Sequence, residues 1–258
     1  IFLGSSSSPS SSAPDAADPD GAVVVAGPVA LENALECPLG AGDELPCTQE
    51  SVKLAVAIVL RDAGGGVLLT RRAAHMRTFP GAWVCPGGSV DLGEAPAEAA
   101  ARELLEETGV EVDASELQPL CMWESVFPTT LPACRAEGRV KGHYLLLFFV
   151  AQLPERSGPA ERSGRPALRL QPQEVDAAAW VPRAHLWAFS LSGAARRDDG
   201  SLSCPEAAAQ ALELDGGGRV ALADVARLYP SPDGLRRGSG EAHMFALREL
   251  AERGSAAL

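Results

Sequence analysis

Residues 88–110 read GSVDLGEAPAEAAARELLEETGV, and no other stretch constrains the chain as tightly. Alanine and glutamate dominate residues 95–108, Pro96 suits a first helical turn and Gly109 suits a stop, which predicts a helix over 95–108. On that helix Glu103, Glu106 and Glu107 stand at i, i+3 and i+4, so their carboxylates share one face. Leu104, Leu105 and Ala101 turn to the other side and are expected to pack on a sheet. Clustered carboxylates raise one another's pKa unless a positive charge lies among them. Hard oxygen donors in this arrangement suit Mg2+ or Mn2+. Such an ion polarises a phosphoryl group and acidifies a bound water.

A glutamate-rich helical face alone is ordinarily a solvated surface. Here Gly88 and Glu94 stand upstream in fixed register, and Arg102, Gly109 and Val110 complete the pattern Gly-x5-Glu-x7-Arg-Glu-U-x-Glu-Glu-x-Gly-U, with U aliphatic. On these residues the chain resembles the Nudix hydrolase superfamily. The resemblance implies a Nudix fold of α/β (α+β) class, a mixed β-sheet sandwiched between helices. It implies metal held by Glu103, Glu106, Glu107 and the backbone carbonyl of Gly88. It also implies that Arg102 locks a neighbouring carboxylate in place; by spacing alone, Arg102 can also pair with Glu98. The implied reaction is water attack at phosphorus, cleaving the diphosphate linkage of a nucleoside-diphosphate-X compound. Family members differ in their general base. Glu103 is the candidate within the box, and Glu124 or Glu174 the candidates outside it, with Glu124 favoured for its place among apolar strand residues.

The flanks narrow the comparison. Residues 58–72, Trp83, Pro86-Gly87-Gly88, Trp123-Glu124-Ser125 and Phe127-Pro128 look like the Nudix motif 17 branch, as does a tail over 213–252 containing Phe245-Ala246-Leu247. That branch implies a nucleotide-type substrate, with methylated RNA caps in the class. A second segment, Leu68-Leu69-Thr70-Arg71-Arg72 continuing through Arg77 and Gly81, is similar to a coenzyme A pyrophosphatase signature, from which it departs at Ala73 and Cys85. An NADH pyrophosphatase is echoed only loosely by residues 123–128, and that group's four-cysteine zinc site is absent. Under each reading Arg71 and Arg72 are candidate phosphate ligands. Trp123 and Trp83 are candidates to stack on a base, with core packing as the alternative. Arg135, Arg139, Lys141 and His143 form a basic loop, while His75, His185 and His243 show no ligand spacing and receive no chemistry. A non-catalytic Nudix nucleotide-binding module is the reading of another class. Such modules usually lose box carboxylates, and here every one is present.

A formal net charge of −12 argues against an extended nucleic-acid surface. Phosphate binding then needs a cation and local arginines to reverse the field. The six cysteines show no CxxC spacing and read as reduced thiols of a reducing compartment. The longest apolar run, 144–151, is too short to cross a bilayer, so no membrane contact is expected and the cytoplasm is the default location. The chain starts at Ile1, so a targeting signal could lie upstream.

Residues 5–20 are mostly Ser, Pro, Ala and Asp, and 1–49 is expected to be disordered or poorly structured. Residues 50–189 are the expected hydrolase domain. Its strands are read at 52–60, 67–71, 120–127, 143–152 and 175–181, with a hairpin turn at 62–66, a loop between 127 and 143, a surface loop at 154–166 and a short helix at 182–188. Residues 190–258 form an extension expected to pack on the domain and to end in a helix over 241–253, with Ser239 as cap and Gly254 as stop.

Overall fold

The run Leu54-Ala55-Val56-Ala57-Ile58-Val59-Leu60 has no polar residue to mark a solvent face, which is the pattern of a strand covered on both sides. The computed structural model describes residues 24–26, 52–127, 131–154, 165–189, 205–229 and 238–256. In chain order the elements are β1 (Val24–Ala26), β2 (Lys53–Arg61), β3 (Val67–Arg72), β4 (Trp83–Val84), β5 (Gly87–Ser89), α1 (Pro96–Thr108), β6 (Gln118–Phe127), α2 (Leu131–Glu137), β7 (Gly142–Gln152) and β8 (Val175–Val181). A 3-10 helix follows at Arg183–Phe189, then α3 (Pro205–Ala209), β9 (Ala211–Glu213), β10 (Arg219–Ala221), α4 (Leu222–Val225), β11 (Leu228–Tyr229), β12 (Ser239–Gly240) and α5 (Glu241–Ala256).

The main sheet runs β1-β6-β7-β2-β3-β4-β12-β11, with β5 also on β2 and β8 also on β3. It is mixed: β2 and β7 are parallel from Lys53↔Tyr144 to Arg61↔Gln152, while β6 and β7 are antiparallel. Side chains alternate across β2, and so do the two cores. Val56, Ile58 and Leu60 pack with Ala99, Ala100 and Leu104 of α1. Ala57 and Val59 face Trp83, Phe148 and, from α5, Ala246, Leu247 and Leu250. Helices therefore cover both faces, and the expected α+β sandwich is the observed architecture. Full burial of one such leucine contributes about 1.5–3 kcal/mol, so each helix is held mainly by its apolar stripe.

The chain beyond β11 is tied to the sheet through β4. Ser239 pairs with Trp83 in parallel register, the Trp83 N–H donates to the Gly238 carbonyl at 2.8 Å, and the Ser239 N–H donates to the Arg227 carbonyl at 2.7 Å. Ser239 is consequently a strand residue and not the helix cap expected of it; its hydroxyl donates to the Val225 carbonyl at 2.7 Å. Helix α5 also runs through Gly254 to Ala256 instead of stopping there. Leu105, expected to pack, is 43% exposed, because the helical stripe on the sheet centres one residue earlier, on Leu104.

The stretch expected as a loop between 127 and 143 contains α2, and the expected helix at 182–188 is a 3-10 helix. The expected disorder of residues 5–20 and most of the 154–166 loop lie outside the described residues. Within the expected poorly structured 1–49, residues Val24–Ala26 form a strand parallel to β6. Cys85, Cys121 and Cys134 are buried. No helix among the described residues is long and apolar enough to cross a membrane.

Candidate active site

Helix α1 presents its acidic face because both ends are fixed. Pro96 occupies the first turn, the Ala95 N–H donates to Glu98 at 3.2 Å, and Gly109 closes the helix in the left-handed region at φ 72° with its N–H on the Leu105 carbonyl at 2.8 Å. Glu98 is thereby occupied, and Arg102 does not pair with it. Instead Arg102 grips Glu94 with two bonds, Nε to Oε1 at 2.8 Å and Nη2 to Oε2 at 3.0 Å. Its remaining donors reach Glu103 at 2.9 Å, Glu106 at 3.3 Å and the Ser89 carbonyl at 3.1 Å. One guanidinium thus joins the loop before α1, strand β5 and two carboxylates of the box, a task that its planar fork suits. The guanidinium beside Glu94 holds that carboxyl below its usual range.

Glu103, Glu107 and Glu174 each offer an oxygen, and these oxygens lie within 4.8 Å of one another. Glu107 is 3% exposed, and its Oε2 has no hydrogen-bond partner among the described residues. Burial, then the charges of Glu103 and Glu174, push its carboxyl from 4.5 up to about 8. Arg72 and the backbone of Gly87 oppose that rise only in part. Burial also raises Glu103, although Arg102 pulls the other way. A buried, partly orphaned carboxylate facing two more is costly unless a cation joins it. The donor set is all oxygen, which suits Mg2+ or Mn2+.

Gly88 is fixed by that crowding. A Cβ there would lie 2.5 Å from the Glu103 carboxyl, and one at Gly87 would lie 2.1 Å from the Val56 carbonyl oxygen. Only glycine lets β5 run between β2 and the acidic face. The carboxylates open on a cleft of about 440 Å³ whose lining includes Ala55, Arg72, Cys85, Gly88, Glu103, Glu106, Tyr144, Glu174 and His243.

The structure therefore brings together Gly88, Arg72, Glu103, Glu106, Glu107 and Glu174, with Arg102 and Glu94 bonded to the box carboxylates, and it separates Arg71, Trp123 and Glu124 from them. Arg71 points away from Arg72, as neighbours on a strand do; it pairs with Asp176 at 2.6 Å and lies over the Trp83 ring. Trp123 is 7% exposed and packs on Phe245 of α5 at 5.5 Å between centroids, so it is a core residue and does not present a face to a base. Trp83 is buried as well. Glu124 sits on β6, which β7 separates from β2, and its Oε1 lies 2.7 Å from Nε2 of His143. It does not line the cleft, and Glu174 occupies the place expected of it.

Glu174 gets there through the turn before β8. The Gln171 N–H donates to the Glu107 carbonyl at 3.1 Å, the Glu174 N–H to the Gln171 carbonyl at 3.0 Å, and the Ala73 N–H to the Glu174 carbonyl at 2.7 Å. A polar Gln-Pro-Gln-Glu turn just ahead of an apolar strand is the one sequence signal for it. His243 carried no signal at all, because its partners are distant in sequence.

Comparison with known proteins gives concordant findings. The family model described as NUDIX domain matches residues 52–201. The m7GpppN-mRNA hydrolase NUDT17 of Danio rerio is 37% identical over 164 residues, which is 60% of this chain and 52% of that protein. The human protein of the same name is 35% identical over 148 residues, 57% of this chain and 42% of that protein. The chain spans about half the length of these curated relatives. Among solved structures, a MutT/nudix family protein from Enterococcus faecalis aligns with a TM-score of 0.46 at 18% identity, over 88% of this chain and 70% of that one.

Proposed function

This chain belongs to the Nudix domain family, and from that premise we propose that it is a divalent-metal-dependent hydrolase that cleaves the diphosphate linkage of a nucleoside-diphosphate-X compound. The observation that carries the proposal is the triad Glu103, Glu107 and Glu174, with the Glu107 carboxylate buried and one of its oxygens unpartnered. These three, with Glu106 and the backbone of Gly88 at the rim, are the residues that would hold Mg2+ or Mn2+. When bound, the ion supplies charge neutralisation at the phosphate oxygens and a water acidic enough to attack at neutral pH.

The chain's own residues do the rest. Arg72 lines the cleft with its Nε held on the Thr78 carbonyl at 3.1 Å, which aims a fixed positive charge at the position of a phosphate. Arg102 fixes Glu103 and Glu106 without entering the cleft lining, so it is a positioning residue. Glu103 and Glu174 are the carboxylates of the cluster that reach the cleft and can take a proton from the attacking water, and Glu124 does not reach it. The apolar wall of Ala55, Val84, Cys85 and Leu146 limits the water around the reacting phosphorus.

RNA caps are the substrate class we favour within that reaction. The support is that the two relatives above are named m7GpppN-mRNA hydrolases, and that a cap's phosphate bridge is a nucleoside-diphosphate linkage of this kind. A cytoplasmic location belongs to the same proposal. The test is release of phosphorylated products from m7GpppG, coenzyme A, NADH and ADP-ribose under Mg2+ and then Mn2+. Metal-dependent turnover, absent in Glu107→Gln, is expected, with m7GpppG the best substrate. A folded, metal-bound protein that turns over none of them would contradict the reading.

A further inference from the structure

The described cleft lining has one residue outside the family-matched span, His243 in the first turn of α5. Its ring is held by two contacts, and the bare backbone of Gly240 leaves it room. The Cys85 N–H donates to Nδ1 at 3.1 Å, the Phe148 ring meets it edge-on at 5.3 Å, and a Cβ on Gly240 would come within 3.3 Å of Cδ2. Cys85 directly follows β4 and Gly240 lies in β12, so the pairing of those strands at Trp83 and Ser239 delivers the ring to the cleft.

An Nδ1 that accepts a hydrogen bond carries no proton, which places the proton of the neutral ring on Nε2 and makes that atom a donor. Burial, and then the charge of Arg72, lower the imidazole from 6.5 to about 3, so the ring stays neutral at working pH. No partner for Nε2 stands among the described residues, and the partly exposed ring lines the cleft. Arg72 is near enough to both Glu107 and His243 to shift their titration, and it lines the same cleft as Glu103, Glu174 and the ring. A molecule with its phosphates at the carboxylates and Arg72 has the rest of that lining, His243 included, for its remaining part. A neutral donor there suits a base carbonyl, a ring nitrogen or a ribose hydroxyl better than another phosphate, which a cation would hold.

Resting on the hydrolase reading above, we propose that His243 is a specificity-determining residue whose Nε2–H donates a hydrogen bond to an acceptor on the nucleoside part of the substrate.

Two substitutions separate the halves of the ring. His243→Asn keeps an acceptor near the position of Nδ1 for the Cys85 N–H and has nothing at Nε2. His243→Gln places an amide nitrogen near Nε2. The readouts are kcat and KM on m7GpppG, ADP-ribose and NADH, together with inhibition by inorganic pyrophosphate, which has no nucleoside. On the best of the three substrates, His243→Asn should raise KM about tenfold, the effect of losing one net hydrogen bond, with kcat within about twofold. The pyrophosphate inhibition constant should not move, and His243→Gln should recover most of the KM. An unchanged KM in His243→Asn, or an equal weakening of pyrophosphate, overturns the inference. Should His243→Asn fail to fold, His243→Ala takes its place: a KM raised about tenfold and recovered by His243→Gln supports the inference, and an unchanged KM overturns it. Absence of turnover by the wild type overturns the hydrolase reading and the inference with it, whereas wild-type turnover with unaltered variants overturns the inference only.

Discussion

The two ends of the cleft are built from very different lengths of chain. At the carboxylate end, Gly88, Glu94, Arg102, Glu103 and Glu107 all lie within one short strand, the loop after it and one helix, joined by bonds of short sequence separation such as Arg102 to Glu94. At the histidine end, Cys85 meets His243 across most of the domain, and the contact exists only because β12 pairs with β4 and α5 packs on the sheet. The first end holds charge at high local cost, with a buried Glu107 among like charges. The second holds a neutral ring in an apolar frame of Phe148 and the β4 backbone. Reactive chemistry is thus encoded mostly locally, with Glu174 added by the turn before β8, and recognition is encoded by tertiary packing, so substitutions at the two ends should fail in different ways.

The largest effect should come from Glu107→Gln. It should lower kcat by about a thousandfold or more, because it removes a carboxylate from the proposed metal set and leaves the cleft otherwise intact. Steady-state kinetics with Mg2+ would show it; a loss confined to KM would instead place Glu107 in recognition. Next come the two helices that carry the ends. Leu104→Ala in α1 and Leu247→Ala in α5 each delete a fully buried leucine, and each should cost about 2–5 kcal/mol in denaturant unfolding. The comparison is sharpened if the Leu247 variant, assayed while still folded, shows a raised KM with kcat preserved.

Smaller again is Arg102→Ala, expected to reduce turnover about 10- to 100-fold by releasing Glu103 and Glu106. Arg102→Lys should not restore it, since a single ammonium cannot hold Glu94 by two bonds and reach the box as well.

A titration provides the fourth test. Glu107 binds its proton more tightly folded, at about 8, than at its ordinary 4.5, so the folded state holds the extra proton between those values. The stabilisation from that proton is present in full below 4.5 and is lost as pH rises through about 8. The melting temperature of the metal-free protein should accordingly fall over that window. Glu107→Gln should flatten the slope, and Mg2+ should restore the stability lost at the alkaline side. The smallest effect belongs to Arg71→Ala: with its charge on Asp176 and outside the cleft lining, KM should change less than about twofold, and a tenfold rise would return Arg71 to the phosphate site.

The same contrast explains what could be read from the sequence. Helix α1 and its acidic face follow from residue spacing, because i, i+3 and i+4 decide a helical face without reference to anything distant. The strands β2, β7 and β8 follow from apolar runs bounded by turn residues. Arg71 and Arg72 looked alike as neighbours, yet the alternation of β3 sends one to Asp176 and the other to the cleft. Trp123 and Glu124 have the same relation on β6: facing is set by register, and the sequence alone did not fix which face met α5. His243 was invisible because Cys85 offers it a backbone N–H, a partner that leaves no mark in composition or motif. Ser239 has the residue type of a helix cap and is drawn into a strand by tertiary pairing.

The central claim is that Glu103, Glu107 and Glu174 form a divalent-cation site, and calorimetric titration of the purified protein with Mn2+ tests it most directly. The account predicts saturable binding by the wild type, retained in Glu124→Gln and lost or weakened at least tenfold in Glu107→Gln with the fold intact by circular dichroism. Equal Mn2+ affinity in the wild type and in Glu107→Gln would contradict it.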